Sequence, residues 1–261
     1  MALLRTGFRA EEHGFRFVNY FDFALEFELP FVEAVDLGNI IFGLCGGMCY
    51  AALDYYHAGW PIPDLTTQPQ RGTRLYAYLW SRQLHSLSIP VVPLRVLEWM
   101  LRDDDDAAYL AARREFPRIE GRIARGNPAV ICLIRAGGVA DPMQNHQVVV
   151  VGYDRDEATG ALTLFLYDPN HPGQETQIRL NLPAPRRRHV AAQEIALTQS
   201  TGEKLRGFFV LNYRARQEGL PATLAEALAP ACGRGDPCRA NEALLRDRER
   251  KQSLPLRPFS W

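Results

Sequence analysis

The apolar residues of this 261-residue chain change their spacing at the turn Gly126-Asn127-Pro128, and this change constrains the fold more than any other feature. Upstream of the turn, helical spacing predicts helices over 47–57, 74–87, 93–102 and 105–125, the last interrupted by Pro117. Downstream of it, short apolar runs predict strands over 129–134, 147–151, 162–167, 176–180 and 207–213. A helical half followed by an antiparallel half predicts an α+β protein.

The same patterns predict one domain over 1–220 and a peripheral C-terminal extension over 221–261. Within the domain we expect a helical lobe over about 44–125 and a β lobe over about 129–213. The aromatic residues before 43 alternate in places, which favours extended segments there. The extension carries only short helical patterns, at 223–228 and 241–251.

Charge and cysteine content limit the partners and the compartment. Thirty basic and thirty acidic side chains cancel, so we expect neither nucleic acid nor an anionic membrane as the main partner. The chain shows no secretory signal and no apolar run of about 18 residues, which predicts a cytoplasmic protein and leaves signal-independent export open. Five cysteines without a disulfide framework indicate a reducing compartment. Cys232 and Cys238 could pair if oxidised, but we expect them to be free surface thiols.

A glycine-rich turn from Gly43 to Cys49 leads directly into the first predicted helix and places a thiol at its N-terminus. Backbone N–H groups and the helix dipole stabilise a thiolate in that position. The chain then supplies His146 at the start of one predicted strand and Asp168 at the end of the next. Cys45, His146 and Asp168 therefore form a candidate catalytic triad, in which the carboxylate orients the imidazole that shares the proton of the thiol.

Three further residues have candidate roles around this triad. Asn39, six residues before Cys45, could donate its amide to an oxyanion beside the backbone N–H of the turn. Asn170 follows Asp168 closely enough to line the site or to orient the histidine in its place. Cys49 is an alternative nucleophile, although a helix beginning at 46 or 47 would put it one turn inside, as a packing residue below Cys45.

The order of these residues resembles the papain-like cysteine peptidase superfamily, and within it the branch of double-glycine peptidases that process bacteriocin leaders. The matching motifs are Cys45-Gly46, Gly126-Asn127-Pro128 before a buried strand, His146 before a valine run, and Asp168-Pro169. The resemblance covers roughly 39–171, with Asn39 in place of the usual Gln and Gly47 where Pro is common. A papain-style alignment would instead make Cys49 the nucleophile, but Gly43, six residues before it, has no side-chain donor.

The resemblance implies a papain-like fold and a thiol hydrolase, a cysteine peptidase or amidase that acts through a thioester on a peptide, protein or small amide. A cysteine acyltransferase or transglutaminase of the same fold, and a catalytically silent domain that binds a peptide or protein, are the alternatives. We expect no cofactor and no metal, because Cys45 and Cys49 with His146 or His171 make a poor zinc signature. The acidic run 103–106 is expected to cap a helix, and the basic run 186–189 is too short to indicate nucleic-acid binding.

Overall fold

A computed structural model of the chain describes residues 2–21, 43–138, 144–184 and 190–231. Several residues with predicted roles lie outside these ranges. They are Asn39, Cys232, Cys238, the basic run 186–189 and the predicted helix 241–251.

The order of helices and strands along the described chain follows the predicted division into a helical and a β half. The helices are α1 (Ala10–His13), α2 (Cys45–Ala58), α3 (Arg74–Leu87), α4 (Val91–Leu101), α5 (Asp104–Leu110), α6 (Phe116–Ile123), α7 (Ala192–Ile195) and α8 (Leu224–Leu228). The strands are β1 (Ala2–Arg5), β2 (Ala129–Ile134), β3 (His146–Arg155), β4 (Ala161–Tyr167), β5 (Glu175–Asn181), β6 (Thr198–Gln199) and β7 (Gly207–Val210).

All seven strands belong to one antiparallel sheet in the order β6-β5-β4-β3-β2-β7. Strand β1 pairs with the far half of β3, where Ala2 lies opposite Arg155. Helices are concentrated before the sheet in the chain, and the protein is therefore of the predicted α+β class. None of the described helices has the length and apolar character needed to cross a membrane.

Helix α2 runs through the interior, and every residue from Cys45 to Tyr55 is buried. Its first turn is closely packed against α3: a Cβ on Gly47 would overlap the carbonyl oxygen of Leu79 and lie 3.1 Å from its carbonyl carbon. The N–H of Gly47 donates to Oε1 of Gln83 at 2.7 Å, so a side chain of α3 accepts from one of the donors that a helix N-terminus leaves free. The close packing of α2 against α3 therefore requires glycine at position 47.

A buried carboxylate fixes the other end of α2. Asp54 forms an ion pair with Arg82 of α3 at 2.7 Å and accepts hydrogen bonds from the hydroxyls of Tyr78 and Tyr213. The backbone N–H of Arg216 completes the set at 2.9 Å. A buried charge is tolerated when it is paired and hydrogen-bonded in this way, and the network joins α2, α3 and the chain beyond β7.

The structure differs from the predicted elements most clearly in two places. The helix expected over 105–125 is two helices joined by one π-helical turn, Ala111–Glu115, and Pro117 lies in the first turn of α6, where its missing N–H is tolerated. Before 43, only Ala2–Arg5 is a strand among the described residues, whereas Phe15 and Phe17 are buried without strand pairing. The described part of the C-terminal extension packs on the helices through a hydrogen bond from Tyr55 to the carbonyl of Pro221.

The acidic run does cap a helix, as predicted. Asp103 is the N-cap residue of α5, and its carboxylate accepts from the backbone N–H of Asp106 at 2.7 Å. The three carboxylates that follow it lie in the first helical turn, where they face the positive end of the helix dipole.

Candidate active site

Cys45 is the first residue of α2, and Leu44 precedes it as the N-cap. The helix therefore begins one residue earlier than 46, and the thiol is part of its opening turn. The first backbone hydrogen bond of the helix runs from the N–H of Met48 to the carbonyl of Leu44, at 2.8 Å. The N–H groups of Cys45 and Gly46, like that of Gly47, have no intrahelical acceptor by geometry.

His146 and Asp168 are in direct contact, as the order of the strands predicts. His146 is the first residue of β3, and Asp168 directly follows β4, whose last residue Tyr167 pairs with Val149. The antiparallel register brings both side chains to the same end of the two strands, where His146 Nε2 lies 2.6 Å from Asp168 Oδ1. Both side chains are buried, with 5% and 0% exposed.

The residue before the histidine holds the start of β3 in place. Asn145 is buried, and its Oδ1 accepts from the backbone N–H groups of Arg135 and Ala136 at 3.0 and 3.2 Å. These two residues directly follow β2, which is the neighbour of β3 in the sheet. The side chain of Asn145 therefore fixes the position from which the imidazole of His146 projects.

The imidazole of His146 also interacts with Cys45, and this interaction helps to raise the pKa of the histidine. Because Nε2 faces Asp168, the nitrogen that remains for Cys45 is Nδ1. Burial alone would lower the pKa of His146, but the charge of Asp168, the hydrogen bond to Asp168 and the interaction with Cys45 outweigh it and raise this pKa to about 10. The ring is therefore an imidazolium at neutral pH, placed between a carboxylate and a thiol.

The carboxylate responds in the opposite direction. Burial would raise the pKa of Asp168, but the charge of His146 and its hydrogen bond, together with the backbone N–H of Asn170, lower it below the usual value. Asn170 donates that bond to Asp168 Oδ1 at 2.9 Å. Asp168 is thus ionised wherever the imidazolium is present.

Cys49 lies one helical turn after Cys45 and is in a different environment. Its thiol donates to the backbone oxygen of Gln147 at 3.3 Å, and its side chain is completely buried. Burial raises the pKa of Cys49 well above its usual value, and negative charge at Cys45 and Asp168 raises it further. Cys49 is therefore a neutral thiol with its proton already engaged. Cys45, Cys49 and Cys132 are all free cysteines.

Asn170 contacts Asp168 through its backbone, while its side chain is bonded elsewhere. Its Oδ1 accepts from Nδ2 of Asn19 at 3.1 Å, and Asn19 N–H donates to the carbonyl of Pro169 at 3.1 Å. Nδ2 of Asn19 also lies 2.9 Å from where a Cβ on Gly43 would be. Asn19 therefore connects the turn that carries Cys45 with the turn that carries Asp168.

Two residues at this site were missed by the sequence analysis. Asn19 lies in a stretch without any motif, so only the folded chain shows its contacts. Gln147 did give a signal: it is a polar residue at the start of a strand that is otherwise apolar and predicted to be buried. Its side chain lies against Gly46, the residue that follows Cys45.

Among the described residues, no group of three or more His, Cys, Asp or Glu side chains is arranged to hold a metal ion. Comparison of the chain with protein-family models, with curated proteins and with solved structures found no match. The function is therefore argued from the geometry of the site.

Proposed function

We propose that the protein is a papain-like thiol hydrolase, a cysteine peptidase or amidase, with Cys45 as the nucleophile, His146 as the general acid and base, and Asp168 as the residue that orients the imidazole. One observation carries the proposal. His146 Nε2 lies 2.6 Å from Asp168 Oδ1, and the same imidazole interacts with Cys45, the first residue of a 14-residue helix. A thiol–imidazole–carboxylate chain at a helix N-terminus is the arrangement that activates a cysteine nucleophile.

The reaction follows from these positions. The thiolate of Cys45 attacks the carbonyl carbon of an amide, and the backbone N–H groups at the start of α2 face the oxygen that becomes negative. The imidazolium of His146 gives its proton to the leaving nitrogen, so that the C–N bond breaks and a thioester remains. His146 then takes a proton from water, the hydroxide attacks the thioester, and the C–S bond breaks, which releases the carboxylic acid and restores the thiolate of Cys45 beside the imidazolium of His146.

Cys45 is favoured over Cys49 because the two thiols differ in their partners. The imidazolium contacts Cys45, whereas Cys49 donates to a backbone carbonyl and has a raised pKa. A thiolate needs a donor or a positive charge beside it, and within the described residues only the environment of Cys45 contains both. Cys49 then supports the first turn of α2 from below.

Site-resolved alkylation tests the proposal. Iodoacetamide is applied to the wild-type protein between pH 5 and 9, and the modified cysteines are identified by peptide mass spectrometry. We expect rapid modification of Cys45 already at pH 6, and a rate at least tenfold lower in His146→Ala. Modification that rises only towards about pH 8.5, as for an ordinary thiol, would indicate the silent binding domain instead.

The matched pair Cys45→Ala and Cys49→Ala identifies the nucleophile. An electrophilic acyl probe, p-nitrophenyl acetate, should acylate the Cys49→Ala protein at close to the wild-type rate and should not acylate the Cys45→Ala protein. The reverse pattern would assign the nucleophile to Cys49. Circular dichroism of both variants confirms that the fold is retained.

A further inference from the structure

Gln147 is a buried amide without a hydrogen-bond partner. Its side chain is 1% exposed, and within the described part of the chain neither Oε1 nor Nε2 has a partner. A buried polar group left unpaired costs about 1–3 kcal/mol, and almost all such groups in proteins are paired. An amide in this state therefore points to a ligand or a reacting atom that completes it.

The unpaired amide lies beside the opening turn of α2. A Cβ on Gly46 would overlap Oε1 of Gln147 and lie 2.8 Å from its Cδ. The missing side chain at position 46 is therefore what leaves room for the amide. Gly46 follows Cys45 directly, and its N–H, like those of Cys45 and Gly47, has no intrahelical acceptor.

The other two amides that contact this turn, those of Asn19 and Gln83, each have one hydrogen-bonded atom and one buried atom without a partner among the described residues. Asn19, against Gly43, donates its Nδ2 to Asn170. Gln83 is held by the N–H of Gly47 through Oε1, although its Nε2 is unpaired. Gln147 differs from both because, among the described residues, neither atom of its amide has a hydrogen-bond partner.

We propose that the side-chain amide of Gln147 donates through Nε2 to the carbonyl oxygen of the substrate, and that it forms the oxyanion site together with the backbone N–H groups at the start of α2. This assignment rests on the proposed thiol hydrolase function. It gives Gln147 the role that the sequence pattern assigns to Asn39. The amide forms only this hydrogen bond with the reacting atoms. The hydrogen bond strengthens as negative charge develops on the carbonyl oxygen.

Two reagents separate this role from a structural one. Acylation by p-nitrophenyl acetate passes through an oxyanion, whereas alkylation by iodoacetamide displaces iodide from a saturated carbon and forms none. The test variant is Gln147→Met, which keeps the length of the side chain and removes the donor. We expect acylation about 10²–10³-fold slower, as for loss of one oxyanion donor, and alkylation of Cys45 within twofold of wild type.

A second variant and two comparisons complete the experiment. Gln147→Glu keeps the shape of the side chain and replaces the donor by an acceptor, so it should reproduce the selective loss if Gln147→Met does not fold. Gln83→Met removes another buried amide from the same helix turn, and we expect both rates to stay within threefold of wild type. Asn39→Ala tests the alternative donor, because a selective loss of acylation in this variant would assign the oxyanion contact to Asn39.

Several outcomes would overturn the proposal. Equal losses of acylation and alkylation in Gln147→Met would show that Gln147 only positions His146, and unchanged rates would show that a bound water satisfies the amide. Selective loss of acylation in Asn39→Ala or Gln83→Met, but not in Gln147→Met, would assign the donor to those residues. Failure of the proposed function itself looks different, because wild-type alkylation would then not depend on His146.

Discussion

Replacing Asp168 by Asn should reverse the protonation of His146. The substitution keeps the size of the side chain at a position that is completely buried and removes the charge that lies 2.6 Å from the imidazole. Burial of the ring, the largest influence on its pKa and the one that lowers it, would then act without the main force that opposes it. We therefore expect the pKa of His146 to fall from about 10 to below its usual value of 6.5.

The size of the effect follows from those two values. A pKa of about 10 in place of 6.5 favours the imidazolium by about 10³-fold, since each unit is a factor of ten. At pH 7 the wild-type ring is almost entirely protonated, whereas a ring with a pKa below 6.5 is protonated in less than about a quarter of the molecules. Alkylation of Cys45 at pH 7 should accordingly slow by at least about fourfold from loss of the imidazolium alone.

The pKa can be read from the ring resonances of His146 by NMR, between pH 5 and 10.5, in wild type and Asp168→Asn. Asp156→Asn, which changes a partly exposed carboxylate in the loop after β3, is the control and should leave the resonances of His146 unchanged. A pKa of His146 that stays above 8 in Asp168→Asn would refute the argument, because the positive charge would then have another source.

The same proton binding predicts how stability depends on pH. The pKa of His146 is raised in the folded state, so its contribution is fully present below about 6.5, the unfolded value, and is lost as pH rises through about 10. The free energy of unfolding should therefore decline between these values in wild type and stay flatter in Asp168→Asn. Urea unfolding at pH 6.5, 8 and 9.5 measures this free energy. Parallel declines in wild type and Asp168→Asn would show that the pH dependence does not come from His146.

Two further substitutions test the contacts that hold the site together. Gly47→Ala should destabilise the protein by about 1–3 kcal/mol or more because the new Cβ overlaps the backbone of Leu79. Gly121→Ala, where the new Cβ would meet only the end of the Arg125 side chain at 3.7 Å, should be neutral or stabilising by up to about 1 kcal/mol. Urea unfolding that gives the two variants the same free energy of unfolding would contradict this packing. Asn19→Ala should lower the melting temperature by about 2–4 °C for the loss of one hydrogen bond to Asn170, and the double variant with Asn170→Ala should cost no more than either single one, so additive losses would show that the two amides act separately.

The regular elements of the fold were predictable where the period of apolar residues is long and uninterrupted. The helix over 74–87 and the strand over 129–134 have the bounds that the pattern predicts. The π-helical turn was not predictable in this way, because it depends on tertiary contacts of buried Glu115, which pairs with Arg95 and Arg118 and accepts from the N–H of Val210. The spacing of apolar residues along the chain gives no information about those contacts.

The same distinction applies to the candidate site: contacts that follow from strand order were predictable, and contacts that depend on tertiary packing were not. The contact between His146 and Asp168 was predictable, because consecutive antiparallel strands bring the start of one next to the end of the other. The positions of Asn19 and Gln147 were not, because whether an amide is paired depends on which elements pack around it. Asn19 is paired across two turns and Gln147 is unpaired beside a glycine, and neither state follows from residue type.

The proposed nucleophile lies on α2, so the packing of this helix in the core fixes the position of the Cys45 thiol. Because α2 is buried from Cys45 to Tyr55, its position is set by packing on every side and not by the flexible surface. Gly47 lets the backbone of α3 approach at one end, and the Asp54 network ties the other end to α3. Catalysis requires donors that are fixed before the charge develops, and a helix that is held at both ends keeps its first-turn N–H groups and the thiol of Cys45 in one arrangement towards His146.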